Sequence, residues 1–188
     1  MNRAPGFESP TAPIAMTMLT PARWALLARI RFYSGVEDEY LEVPPDFECD
    51  LASSPSPVRA VFPQHGVYLA AVWLHDYCYR VLIPAGEMTY RGADAMFLAA
   101  MASLGVPALR RYSMWSAVRL AGLFRGRAAR AGWSGDARLV LPVALLMVPL
   151  TAGAAVVTAV TLAVYAALER VVEAAARMMD RRKSTDTM

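Results

Sequence analysis

Residues 66–81 read GVYLAAVWLHDYCYRV, and this stretch decides the fold of the chain. Its apolar side chains recur at spacings of three and four, which places them on one face of an α-helix. They are Val67, Ala70, Ala71, Leu74, Cys78 and Val81. Pro84 and Gly86 follow directly, and both residue types end helices. The stretch therefore predicts an amphipathic helix that carries the polar run from His75 to Arg80 near its end.

Two further helices are predicted downstream. Residues 90–104 repeat the same apolar periodicity, and a Gly-Val-Pro sequence at residues 105–107 stops it. Residues 108–124 form the third candidate helix, with Tyr112 and Trp115 among the residues expected to be buried. The middle of the chain is therefore predicted to be helical.

The segment before these helices predicts a β-hairpin. Residues 24–33 read WALLARIRFY and residues 40–43 read YLEV, with a turn-like SGVEDE between them. The first half of WALLARIRFY is also compatible with a helix. Two prolines end the second strand because proline cannot donate to a ladder, and residues 46–57 are predicted to form a loop. We therefore predict an α+β fold, in which a small β-hairpin packs on about three helices after a flexible arm at residues 1–20.

The C-terminal part contains thirty consecutive residues without a charge, 139–168. About 20 apolar residues cross the core of a bilayer as a helix, so we predict a transmembrane segment here. A soluble domain at 21–126 and a linker at 127–138 precede it, and a charged helical tail at 169–188 follows. A buried core helix and a tight helical hairpin broken near Pro149 are the alternatives. Basic residues flank both ends, so the positive-inside rule assigns no orientation.

Composition narrows the classes of function. The chain has 188 residues, 56% of them apolar, and a formal net charge of +3. Its two cysteines, Cys49 and Cys78, are too few for a disulfide-stapled secreted scaffold, while one bridge and two free thiols both remain open. Arginines gather just before the uncharged segment, where anionic lipid is a simpler partner than nucleic acid. We therefore expect a lipid bilayer as partner and a single-pass membrane location.

His75 and Asp76 are the first candidates for chemistry. Adjacent side chains on a helix diverge by roughly 100°, so these two residues cannot form one site as a mutual pair. They can serve as a base and as a cation ligand on neighbouring faces. A histidine base needs a carboxylate to orient it, and Asp94 stands at the head of the apolar face of the second helix. Packing of the two helices would bring Asp94 to His75, and a purely structural hydrogen bond between them is the alternative.

Asp50 lies in a loop that could supply a carboxylate and backbone carbonyls to calcium together with Asp76. An aspartate that caps the turn through Ser53 is the other interpretation. Arg80, Arg91 and Tyr79 are the candidates for binding substrate. The two arginines could steer an anionic substrate or pair with nearby acids.

Several motifs resemble a family of short phage and prophage proteins catalogued as domain of unknown function 1353. They are LEVPPDFECDLASSP at 41–55, AAVWLHDYCYR at 70–80 and RGADAMFLAAM at 91–101. The resemblance covers about residues 22–124. It departs from the family pattern where Pro45-Asp46 stands in place of the common Ala-Gly, and the family itself implies no activity.

The sequence His75-Asp76-Tyr77-Cys78-Tyr79 is also similar to the H-D-x-C-Y signature of the secreted phospholipases that cleave the sn-2 ester. That resemblance implies that His75 activates water, that Asp76 holds calcium and that Asp94 orients the histidine. The glycine-rich turn and the disulfides of that superfamily are missing here.

Together these patterns favour a membrane-anchored, calcium-assisted hydrolase of phospholipid, from a bacterial host or a phage. The alternative is a non-enzymatic virion or accessory protein that binds phage particle components and in which the His–Asp pair is structural.

Overall fold

The computed structural model describes residues 4–9, 14–21, 23–35, 40–50, 66–126 and 130–185. Within these ranges the chain is α+β. The strands are β1 (Gly6–Phe7), β2 (Met16–Thr20), β3 (Arg23–Leu26), β4 (Ile30–Tyr33), β5 (Tyr40–Val43) and β6 (Glu48–Cys49). The helices are α1 (Leu69–Tyr77), which continues as a π-helical segment (Cys78–Leu82), α2 (Tyr90–Ser103), α3 (Ala108–Gly122) and α4 (Trp133–Thr185).

The strands form two small antiparallel sheets, in the orders β1-β4-β5 and β2-β3-β6. The predicted hairpin is present as β4 and β5, which pair from Ile30 opposite Val43 to Tyr33 opposite Tyr40. The prediction of one strand over residues 24–33 is wrong, because β3 and β4 belong to different sheets. The helical alternative for that segment is also wrong.

The prediction of a flexible arm is wrong for β1 and β2. Phe7 is buried and stacks edge-on against Phe32, with ring centroids 4.9 Å apart, and this contact holds a strand of only two residues on β4. Strand β2 pairs with β3. The predicted loop at 46–57 likewise contains β6, which pairs with β3, while its residues from 51 onward lie outside the described part. Short strands of this kind leave no clear alternation in the sequence.

The core lies where α1 contacts β4, β5 and α2. Trp73 and Leu74 of α1, Phe32 of β4 and Val43 of β5 are fully buried. The second and third helices begin where the sequence predicts, at Tyr90 and Ala108. The Thr89 hydroxyl caps α2 by accepting a hydrogen bond from the Gly92 amide at 3.0 Å.

The chain divides into two compact units, and the first of these extends to Val148. Helix α4 starts inside it, so the prediction of a linker at 127–138 is wrong from Trp133 onward. Val140 is fully buried in the core of this unit, and the indole Nε1 of Trp133 donates to the Arg119 carbonyl at 3.2 Å. These contacts explain why the helix begins before the uncharged segment.

Within the described residues, one helix is long and apolar enough to cross a membrane, at Trp133–Arg177. In its most apolar stretch 6% of the residues are buried, which argues against the alternative of a buried core helix. Helix α4 also runs through Pro149 and Gly153 without a turn, so the helical hairpin is not formed.

Candidate functional site

The imidazole of His75 meets the carboxylate of Asp94 between α1 and α2. Nε2 of His75 lies 3.0 Å from Oδ1 of Asp94, and the side chains are 13% and 1% exposed. The predicted hydrogen bond is therefore confirmed as geometry, while the catalytic roles stay predictions. The His75 ring is packed between the rings of Tyr79 and Phe97, at centroid distances of 4.3 and 4.6 Å. This packing restricts the orientation of the imidazole.

Tyr79 is a second partner of the same carboxylate. Its hydroxyl donates to Oδ1 of Asp94 at 2.7 Å. Burial, and then the negative charge of Asp94, raise the pKa of Tyr79 above its usual range, so the phenol remains a donor. Tyr79 belongs to the π-helical segment, in which the Ile83 amide donates to the Cys78 carbonyl at 2.9 Å. Such segments widen the helical turn and occur frequently at functional sites.

Arg119 is a site residue that the sequence interpretation missed. Its Nη1 lies 3.1 Å from Oδ2 of Asp94, and its Nη2 lies 2.8 Å from Oδ2 of Asp136. Arg119 is 1% exposed. The signal was present, because Arg119 continues the spacing of Tyr112 and Trp115 along one face of α3. Asp136 is a second such residue, because it lies in the first turn of α4, where the sequence predicts a linker.

A second cluster joins Asp76 to the end of β6. One potential ligand atom from each of Cys49, Asp50 and Asp76 lies within 4.8 Å of the others. Asp50 therefore does face Asp76, as the sequence predicts. The alternative role of Asp50 as a cap through Ser53 involves a residue outside the described part.

Arg80 occupies the edge of this cluster. Its Nε lies 3.0 Å from Oδ2 of Asp76, and its Nη2 lies 3.5 Å from Oδ2 of Asp50. The sequence predicts that Arg80 binds substrate, whereas in the structure it forms ion pairs with two carboxylates of the protein itself. Burial raises the pKa of Asp76, and the neighbouring Asp50 adds to the rise, whereas Arg80 and a hydrogen bond from the Cys49 thiol oppose it.

The donor set fits a hard divalent cation in part. Two carboxylates are the oxygen ligands that calcium prefers, whereas a thiolate is a ligand for softer metals. Because a guanidinium and a calcium ion would compete for the same two carboxylates, Arg80 has to move aside for calcium to bind. Its side chain is 44% exposed, and its Nη1 also donates to the Glu48 carbonyl at 3.5 Å.

The other predicted residues are placed differently. Nη2 of Arg91 lies 3.1 Å from Oδ1 of Asp136, so this arginine joins the Arg119 network rather than the His75 ring. Arg125, which was not predicted as a site residue, places its guanidinium 4.9 Å from the centre of the Tyr79 ring and is exposed.

Cys49 and Cys78 are both buried and form no disulfide. Burial raises the pKa of the Cys78 thiol to about 12.

Comparison with known proteins identifies a family and no activity. The family model described as protein of unknown function, DUF1353, matches residues 24–118. These residues include His75, Asp76, Asp94 and Asp50, and they end one position before Arg119. Searches of the curated proteins and of the solved structures give no match. Because the model spans half of the chain, the protein belongs to the DUF1353 family.

Proposed function

We propose that the protein is a membrane-anchored hydrolase that cleaves an ester of a phospholipid. The observation that carries this proposal is the contact of His75 Nε2 with Asp94, which Tyr79 also contacts. A histidine whose one nitrogen is held by a buried carboxylate is oriented to use the other nitrogen as a base. The H-D-x-C-Y resemblance supports the same assignment of roles.

The proton steps follow from this arrangement. With Nε2–H donating to Asp94, Nδ1 is the basic nitrogen, and within the described residues it has no hydrogen-bond partner. Nδ1 removes a proton from water as the water oxygen adds to the ester carbonyl. The resulting imidazolium is stabilised by the Asp94 carboxylate, and it returns the proton to the alkoxide as the carbon–oxygen bond breaks. The products are a fatty acid and an alcohol.

Calcium is the proposed cofactor, held by Asp76 and Asp50. Bound there, it would polarise the ester carbonyl and stabilise negative charge on its oxygen. Arg80 would leave the two carboxylates and become available to the substrate phosphate. Arg125 supports the same substrate class because its exposed guanidinium lies beside Tyr79, and guanidinium groups bind phosphate well.

The apolar part of α4 supports a location at the substrate surface. Side chains such as Leu145, Val157 and Leu162 are more than half exposed along this helix. Exposed apolar side chains over this length match the core of a bilayer. We propose a single-pass anchor that keeps the enzyme at its lipid substrate.

A non-enzymatic phage-type protein is the second candidate, and two observations favour it. Arg80 already neutralises Asp76 and Asp50, and Arg119 already neutralises Asp94. In that case both clusters are internal ion-pair networks of a structural domain.

One experiment separates the two candidates. The full chain is reconstituted into mixed-chain phosphatidylcholine and phosphatidylglycerol vesicles, and fatty-acid release is measured with calcium or with chelator. We expect calcium-dependent release that His75→Gln and Asp94→Asn abolish. Co-sedimentation with the vesicles tests the anchor independently. A folded, vesicle-bound protein that releases no fatty acid at millimolar calcium would establish the structural alternative.

A further inference from the structure

We propose that Asp136, acting through Arg119, is a positioning residue for the His75–Asp94 pair. This inference rests on the proposed function, because it concerns how the pair is held. Asp136 touches neither His75 nor Asp94. Its Oδ2 lies 2.8 Å from Nη2 of Arg119, whose Nη1 lies 3.1 Å from Oδ2 of Asp94. The other oxygen of Asp94 contacts His75.

The guanidinium of Arg119 is held from several sides. Its planar fork presents two nitrogens to two separate carboxylates. Nη2 also donates to the Ala131 carbonyl at 3.2 Å, and the backbone carbonyl of Arg119 accepts from Trp133 at 3.2 Å. Trp133 and Asp136 lie in the first turn of α4, and Ala131 lies two residues before it. This short segment therefore contacts both the guanidinium and the backbone carbonyl of Arg119.

The charges explain why Asp136 matters for His75. Arg119 and Asp94 are each 1% exposed, and Asp136 is 12% exposed, so water screens their interactions weakly. Asp136 shares the positive charge of Arg119 with Asp94, so Asp94 keeps enough negative charge to hold Nε2–H. Without Asp136, Arg119 is attracted to Asp94 alone, which weakens Asp94 as an acceptor for His75 and as a stabiliser of the imidazolium.

Asp136 lies between two cations at the start of α4. It lies in the first turn of α4, where the helix dipole stabilises negative charge. Arg91 adds a second cation at 3.1 Å from Oδ1. The first turn of α4 therefore belongs to the set of elements that hold the His75–Asp94 pair. This set extends past α3 to the start of α4.

The test uses the full chain in detergent micelles with Asp136→Asn, and it has two readouts. The first is the ¹⁵N and ¹H resonances of the His75 side chain, which report the Nε2–H hydrogen bond directly. The second is the division between kcat and KM for ester hydrolysis. We expect the His75 resonances to move and kcat to fall by roughly tenfold to a hundredfold, with KM nearly unchanged. A fall of this size is what a small misplacement of the His75 imidazole would cause. Asp136→Glu, which keeps the charge, should restore most of both.

Arg138→Gln is the matched control, since Arg138 is an exposed cation two residues further along the same helix. It should leave both readouts unchanged. If Asp136→Asn lowers Tm but leaves the His75 resonances and kcat like those of the control, Asp136 is only structural and the inference is wrong. If Asp136→Asn does not fold, the Arg119→Lys variant replaces it, because one ammonium group cannot reproduce the two-pronged guanidinium of Arg119. His75 resonances that do not move in the Arg119→Lys variant overturn the inference equally. If the wild type hydrolyses no ester, the proposed function fails, and the resonances alone decide this inference.

Discussion

The Arg80 guanidinium makes an ion pair with Asp76 one helical turn before it, with Nε 3.0 Å from Oδ2. This pair occupies the carboxylate that calcium would need. The protein as it stands therefore balances the Asp76 cluster with its own cation, and calcium has to displace that cation to bind.

Arg80→Gln should therefore raise the calcium affinity. Removing the competing charge leaves Asp76 and Asp50 facing each other, and their mutual repulsion favours binding of a divalent cation. Isothermal titration of the full chain in detergent measures the change, and we expect the Kd to fall by about tenfold, or about 1.4 kcal/mol. Arg177→Gln is the control, since it breaks an exposed Arg–Glu pair with the same spacing of four residues. No calcium binding by either variant would remove the cofactor from the proposal.

The pKa of Asp76 predicts a pH dependence of stability. Burial raises this pKa above the ordinary value of 3.8. The folded chain therefore keeps a proton on Asp76 at pH values where the unfolded chain has lost it. As a result, the free energy of unfolding falls as pH rises from 3.8 through the raised pKa.

Asp76→Asn should flatten that part of the pH profile. Urea unfolding of the full chain at a series of pH values measures it, with Asp46→Asn as the exposed control. A profile identical in wild type and Asp76→Asn would show that burial does not perturb this carboxyl group.

Asp46 predicts a local effect on stability. Its φ of 62° lies in the left-handed region, which residues other than glycine, asparagine and aspartate avoid. Asp46→Gly should be neutral or slightly stabilising, whereas Asp46→Val should cost about 1–2 kcal/mol. Thermal unfolding of the two variants tests this prediction. Equal Tm values for Asp46→Gly and Asp46→Val would show that the backbone at residue 46 does not strain a valine.

The contacts of α4 predict where the chain can be shortened. A chain that ends at Val148 keeps Asp136 and the buried Val140, whereas a chain that ends at Arg138 loses Val140. The loss of a fully buried valine costs about 1.5–3 kcal/mol, so the shorter chain should unfold at lower temperature or fail to fold. Circular dichroism melting of the two chains in detergent compares them. An unchanged Tm for the chain ending at Arg138 would show that Val140 and the rest of α4 beyond Arg138 contribute nothing to the stability of the core.

The sequence predicts the contact between His75 and Asp94 because an acid on an apolar helix face requires a partner. The same reasoning does not identify Arg119, since an arginine in an arginine-rich segment has the pattern of a solvated residue. Periodicity alone cannot separate the two cases, because long basic side chains are found on both faces of helices. The two-residue strands β1 and β6 were missed for a different reason. They depend on pairing with strands distant in sequence, and a pattern read along the chain carries no information about such pairs.

The buried thiol of Cys78 offers a chemical measure of how often the core opens. Cys49 and Cys78 are the only cysteines of the chain, and they form no disulfide. Because Cys78 is fully buried and its thiol has a pKa of about 12, it reacts with alkylating reagents only when the core opens. The rate of its modification is thus a built-in measure of global unfolding, without any added probe.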